Sequence, residues 1–177
     1  GSRLTSSVAA ELLQNAADHY HATNLDLAPE FAGENTTCER FARAVWERLR
    51  DALDARELDP CAELLVRVRE SDVAHVEYER ALTAPASMGY YRVSVRSRCM
   101  VARTIKPHTS VGGSTLIVDA LLGGRTLEEP ANFLVDICLA ERLLSEAVAS
   151  LHQLNLDELP AFLPPEPPPT AEAIGAY

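Results

Sequence analysis

The stretch Leu64-Leu65-Val66-Arg67-Val68-Arg69-Glu70 decides how the chain is read. Successive side chains of a strand point to opposite faces. Leu64, Val66, Val68 and Glu70 therefore share a face, and three of the four are aliphatic. That face looks to a core. A carboxylate at its end must pair with a cation, accept backbone N–H groups, or meet a ligand that donates hydrogen bonds to it. A rim residue or ion pair and a ligand-binding acid are both open on the strand alone.

Outward from this strand the chain reads as alternating helices and hairpins. Before it, Val8, Leu12, Leu13 and Ala16 recur at helical spacing and predict an amphipathic helix over about 5–17. A polar stretch follows, Ala17 to Asp26, holding Asp18, His19 and His21. Pro29 to Asn35 reads as a loop. Thr36-Thr37-Cys38-Glu39 reads as a capping box opening a helix over about 37–54, striped by Phe41, Val45, Leu49 and Leu53. After Ser71-Asp72 a returning strand runs from Val73 to Leu82, with Val76 and Tyr78 on one face and His75, Glu77 and Glu79 on the other.

Residues 83–88 read as a linker. Strict alternation predicts a long strand from Tyr90 to about Thr104, basic on its outer face through Arg92, Arg96 and Arg98. Ser114 to Leu122 forms its partner; the near-continuous apolar run predicts cover on both faces. A helix over about 138–151, striped by Leu139, Leu143, Ala147 and Leu151, comes next. The tail from residue 164 is proline-rich, and Ala171 to Tyr177 is too short for a helix of its own.

Composition narrows the partners. The 177 residues are 47% hydrophobic, enough for one core or two small ones. The net charge of −10, from 16 basic and 26 acidic residues, argues against nucleic acid and anionic membranes. Cys38, Cys61, Cys99 and Cys138 form no C-x-x-C pair, which predicts free thiols in a reducing, cytoplasmic setting and no cysteine zinc site. No apolar run is long enough to span a membrane, and no signal peptide is seen. Gly1-Ser2 reads as a cloning remnant.

The chain also repeats itself. Asn24-Leu-Asp-Leu-Ala-Pro-Glu-Phe31 resembles Asn155-Leu-Asp-Glu-Leu-Pro-Ala-Phe162 at an offset of 131 (155 − 24), which sets His21 on His152. Thr37-x-Glu39 is loosely matched by Thr170-x-Glu172. Two tandem copies of one unit, each cut part-way, would give this pattern.

These residues resemble a known family. Tyr91-Arg-Val-Ser-Val-Arg96, Met100-Val-Ala102, Thr115-Leu-Ile-Val-Asp-Ala120 and Leu134-Val-Asp-Ile137 are similar to the first half of the 6-pyruvoyltetrahydropterin synthase / 6-carboxytetrahydropterin synthase family. Asp18-His19, Asn24-Leu-Asp26, Pro29 to Thr37, Glu39 and Val66 to Glu70 are similar to its second half. The resemblance implies an α+β tunnelling fold, an antiparallel four-stranded sheet with helices on one face. The order here, helix-helix-strand-strand-strand-strand-helix, implies a permuted or tandem-fused unit. Residues 3–82 would be the second half of one unit and 89–163 the first half of the next, sharing one sheet. It further implies a homo-oligomer built by joining sheets into a barrel.

Site residues carry over one by one. Asp18-His19 match the family's acid/base pair, with His21 competing through the repeat alignment. In the second copy the place of Asp18 falls to a small or apolar residue near Leu151. Glu70 matches the acid that anchors the pterin, and Thr36 and Thr37 match the turn lining the same pocket; both threonines also serve as plain helix caps. The three zinc-binding histidines fall on Arg103, Gly112 and Ser114, so no metal and no cofactor are expected. His108 is one nearby imidazole, and Cys99 lies on a strand as a core residue rather than as the family's loop nucleophile. Together these imply a small heterocyclic substrate and a diverged, zinc-independent lyase or cyclase reaction in specialised metabolism. The alternative is a non-catalytic member acting through assembly.

Overall fold

The computed structural model describes residues 4–58, 63–83, 88–104, 110–164 and 168–176. His108, Cys61, most of the 83–88 linker and half of the proline run 164–169 lie outside them. The architecture is α+β, with helices α1 (Ser6–Tyr20), α2 (Cys38–Ala55), α3 (Ile137–Ala149) and α4 (Ala171–Ala176). Strands β1 (Glu63–Arg69), β2 (Ala74–Ala81), β3 (Tyr90–Thr104) and β4 (Val111–Gly124) form one antiparallel sheet in the order β1-β2-β3-β4. The chain divides into two compact units, Gly1–Ser94 with Leu121–Ile137, and Val95–Ala120 with Cys138–Tyr177.

In the first unit the strand parity holds. Val66 is buried and Leu64 and Val68 half-buried, while Leu65, Arg67 and Arg69 are exposed. β1 pairs antiparallel with β2, Val66 opposite Tyr78 and Arg67 opposite Glu77. The inner face meets α2 through Trp46, whose indole N–H donates to Leu64 O at 2.8 Å and whose ring lies edge-on to Tyr78. α1 packs on α2 through Leu12, Ala16 and Tyr20. On the opposite face Glu77, only 6% exposed, accepts from Arg67 at 2.8 and 2.5 Å. Arg92 lies 3.6 Å from Glu77 and donates to Glu79 at 2.6 Å.

Two expectations change here. α1 runs three residues past the predicted end, because Tyr20 continues the buried Leu12–Ala16 face. The capping box is not formed. Thr37 is the N-cap, its hydroxyl accepting from Arg40 N at 3.3 Å, so Glu39 falls one residue short of the position from which it could reach back. The buried Glu39 carboxylate instead accepts Leu134 N–H at 2.9 Å.

In the second unit Cys99, Val101, Val148, Leu151, Leu156 and Phe162 form the core. β4 is longer than predicted and alternates, leaving Ile117 and Leu121 more than 60% exposed rather than covered on both faces. α3 uses a different stripe from the predicted one. Ala140, Leu144 and Val148 turn inward, while of the predicted stripe Leu139, Leu143 and Ala147 are exposed and Leu151, past the helix end, is buried. Residues 171–176 do form a helix; Thr170 caps it, and Ala173 and Ile174 pack on the core, supplying what isolated length could not.

The repeat is structural. Asn24 and Asn155 each accept the N–H two residues on, at 3.1 and 3.3 Å. Each opens a 3-10 turn, Leu25–Leu27 or Leu156–Glu158, and a second turn follows, Pro29–Phe31 or Pro160–Phe162. Even the left-handed residues correspond, Ala22 at φ 54° and Gln153 at φ 63°.

Candidate functional site

Glu70 follows the last residue of β1, and its N–H donates to Ala74 O across the turn at 3.2 Å. Its carboxylate is exposed and reaches the first residue of α2: Cys38 Sγ donates to Glu70 Oε2 at 3.8 Å. Burial pushes the Cys38 thiol up, and the Glu70 and Glu39 charges push it further, to about 11. At neutral pH it is a donor and not a thiolate nucleophile. Beside it, Thr37 Oγ1 donates to Asn132 O at 2.6 Å and Thr36 Oγ1 donates to Asp26 Oδ1 at 2.8 Å. The sequence-predicted residues Glu70, Thr36 and Thr37 thus gather at one end of α2, with Cys38 as an unforeseen fourth member.

The second predicted group lies elsewhere. Asp18 and His19 are consecutive on α1, and consecutive helical side chains do not face each other. Asp18 Oδ1 accepts from Gln14 at 2.8 Å. The carboxylate beside His19 is Glu30, with Oε1 3.6 Å from Nε2. Tyr20 OH donates to the same oxygen at 2.9 Å, and Arg48 NH2 stands 3.8 Å from it. Arg48 also bonds His19 Nε2 at 2.6 Å, which it can do only when that nitrogen is unprotonated. Glu30's own backbone N–H, helped by Tyr20, His19 and Arg48, holds its carboxyl below the usual value against the opposing effect of burial. Burial pushes the Tyr20 phenol up. His21, the α1 C-cap, is exposed.

Tyr20, Glu30 and Arg48 line a groove of about 770 Å³ between α1 and α2, together with Glu47, Asp51 and Arg56. Glu30 and Arg48 were not singled out from sequence; the usable signal is an acid one residue after Pro29 and a basic residue off the α2 stripe. Arg48 lies ten residues along α2 from Cys38, a rise of about 15 Å at 1.5 Å per residue. Within one chain the His19 group and the Glu70 group are therefore separate.

The zinc ligands implied by the resemblance have no counterpart in these donors. Arg103 NH1 donates to Pro169 O at 2.7 Å, and Gly112 has no side chain. Among the described residues no three His, Cys, Asp or Glu converge on one point.

Residues 5–81 match the sequence model of the family described as 6-pyruvoyl tetrahydropterin synthase. Over that segment the chain is similar to this family. The segment carries α1, α2, β1 and β2, and with them both the Glu70 and the His19 groups of the pterin synthase-like part. Neither the curated proteins nor the solved structures give a match. No helix among the described residues is long and apolar enough to cross a membrane.

Proposed function

We propose that the chain binds a planar, pterin-like heterocycle through Glu70 at an interface between copies joined sheet to sheet. The observation that carries this reading is the Cys38–Glu70 contact, which holds an exposed carboxylate against the N-terminal turn of α2 and beside Thr36 and Thr37. A carboxylate so placed suits a ring edge with two adjacent N–H donors. The separation of the Glu70 and His19 groups supports a shared site, in which Asp18, His19 and His21 of one copy serve the heterocycle held by another. The chemistry is then a zinc-independent lyase or cyclase step, with His19 moving the proton.

The test is a fluorescence titration of the intact chain with pterin. Saturable binding that is lost in Glu70→Ala, with an unchanged far-UV spectrum, is the expected result. Equal binding by the variant overturns the anchor, and zinc at one equivalent per chain overturns the metal-free chemistry.

A second reading, a non-catalytic member acting through assembly, is favoured by one feature. His19 Nε2 is already occupied by Arg48, and Asp18 is spent on Gln14. Pterin binding without turnover by the wild-type oligomer would select it.

A further inference from the structure

α1 and α3 hold equivalent places in the two copies of the repeat, and they are buried on neighbouring but different faces. At the offset of 131, Leu12, Ala16 and Tyr20 of α1 fall on Leu143 and Ala147 of α3 and on Leu151 just past its end. Ala9, Leu13 and Ala17 fall on Ala140, Leu144 and Val148. In α1 the first set is buried where α2 packs on it, and Leu13 of the second set is 54% exposed. In α3 the second set is turned inward, Leu144 and Val148 lying on the Cys99–Val101 core. Of the first set Leu151 is buried in that same core, while Leu143 is 55% exposed and Ala147 is exposed beside it. The repeat helix is thus apolar on two neighbouring faces, and the second copy leaves the Leu143–Ala147 part of one of them bare.

The covered copy says what the bare face of α3 accepts. On α1 that face is held by α2, an amphipathic helix with Val45, Leu49 and Leu53 at intervals of four. The second copy also begins an α2-like helix in the matching place. Thr170 caps α4 by accepting Ala173 N at 3.2 Å, as Thr37 caps α2 by accepting Arg40 N at 3.3 Å. Leu143 stays exposed.

We infer that the Leu143–Ala147 face of α3 is a docking surface for an amphipathic helix of the α2 type, apolar at i, i+4 and i+8. The mode is a helix laid along an apolar stripe, with ridge-into-groove packing. It makes no use of Glu70.

The probe is a labelled peptide of residues 37–55 of this chain, followed by fluorescence anisotropy against the intact protein. Saturable binding is expected. Leu143→Asp and, separately, Ala147→Glu should each weaken it at least tenfold; both sites are exposed, so circular dichroism should be unchanged. Leu13→Asp, at the equally exposed α1 position, and Glu70→Ala should leave it within twofold. Absence of saturable binding, or equal binding to both α3 variants, overturns the inference. So does self-association of the chain that Leu143→Asp abolishes and the peptide cannot compete away, which would assign the face to a second copy.

Discussion

At the scale of single residues the site is governed by what surrounds one thiol. Cys38 stands at the start of α2, a place that by itself favours a thiolate. Burial and the carboxylates of Glu70 and Glu39 act the other way and raise it to about 11. A raised thiol pKa means that the protonated form persists through neutrality, so Cys38 donates to Glu70 and keeps its carboxylate oriented. Alkylation of Cys38, followed by mass spectrometry of its peptide, should therefore be slow at pH 7–8 and climb steadily toward pH 11. Glu70→Gln removes one of the charges that raise it, so the climb should begin at lower pH. A rate that levels off near pH 8 in the wild type would contradict the assignment. The same small distance that carries the functional reading thus has a readout that requires no ligand.

Among the elements, β1 and β2 show most clearly how charge is built into the sheet. Glu77 is buried on the face away from α2, where Arg67 holds it with two bonds and His75 and Arg92 stand 3.7 and 3.6 Å away. Breaking a fully buried ion pair costs about 3–5 kcal/mol. Arg67 is 45% exposed and can regain water, so Glu77→Ala should cost less, about 2 kcal/mol, in urea unfolding, with Glu77→Gln in between. No loss in either variant would mean the network is ornamental. Much of this was legible in sequence. Period-two alternation gave β1, β2 and β3 to within a residue or so, because each strand must put its aliphatic set on one side. What was not legible came from choices that local pattern leaves open. α3 carries two apolar faces, and only the tertiary partner decides that Ala140, Leu144 and Val148 turn inward. Glu39 matched a capping signature, yet a loop 95 residues away claimed its carboxylate. Glu30 gave no sign of itself, since its role depends on α1, its own 3-10 turn and α2 meeting in space.

For the molecule as a whole, 26 acidic residues against 16 basic ones make the acid side of its stability curve the informative one. Glu30 is the carboxylate that bears on the α1–α2 packing. Its folded pKa lies below the usual value of 4.5, held there first by its own backbone N–H and then by Tyr20, His19 and Arg48. A carboxylate depressed in the folded state contributes stability that is present above its unfolded pKa and lost as pH falls through the folded value. The loss therefore belongs below about pH 4.5, not near neutrality. Glu30 ties α1 to α2 through Tyr20 and Arg48, so its protonation loosens the packing on which the first unit rests. Glu30→Gln should unfold at lower urea than the wild type at pH 7, and the gap should narrow as the pH falls below 4.5 and the native carboxyl takes up its proton. A gap that stays constant across that range would show that Glu30 acts through packing alone. One that widens toward low pH would reverse the sign of the argument, and with it the view that this cluster is held together by charge.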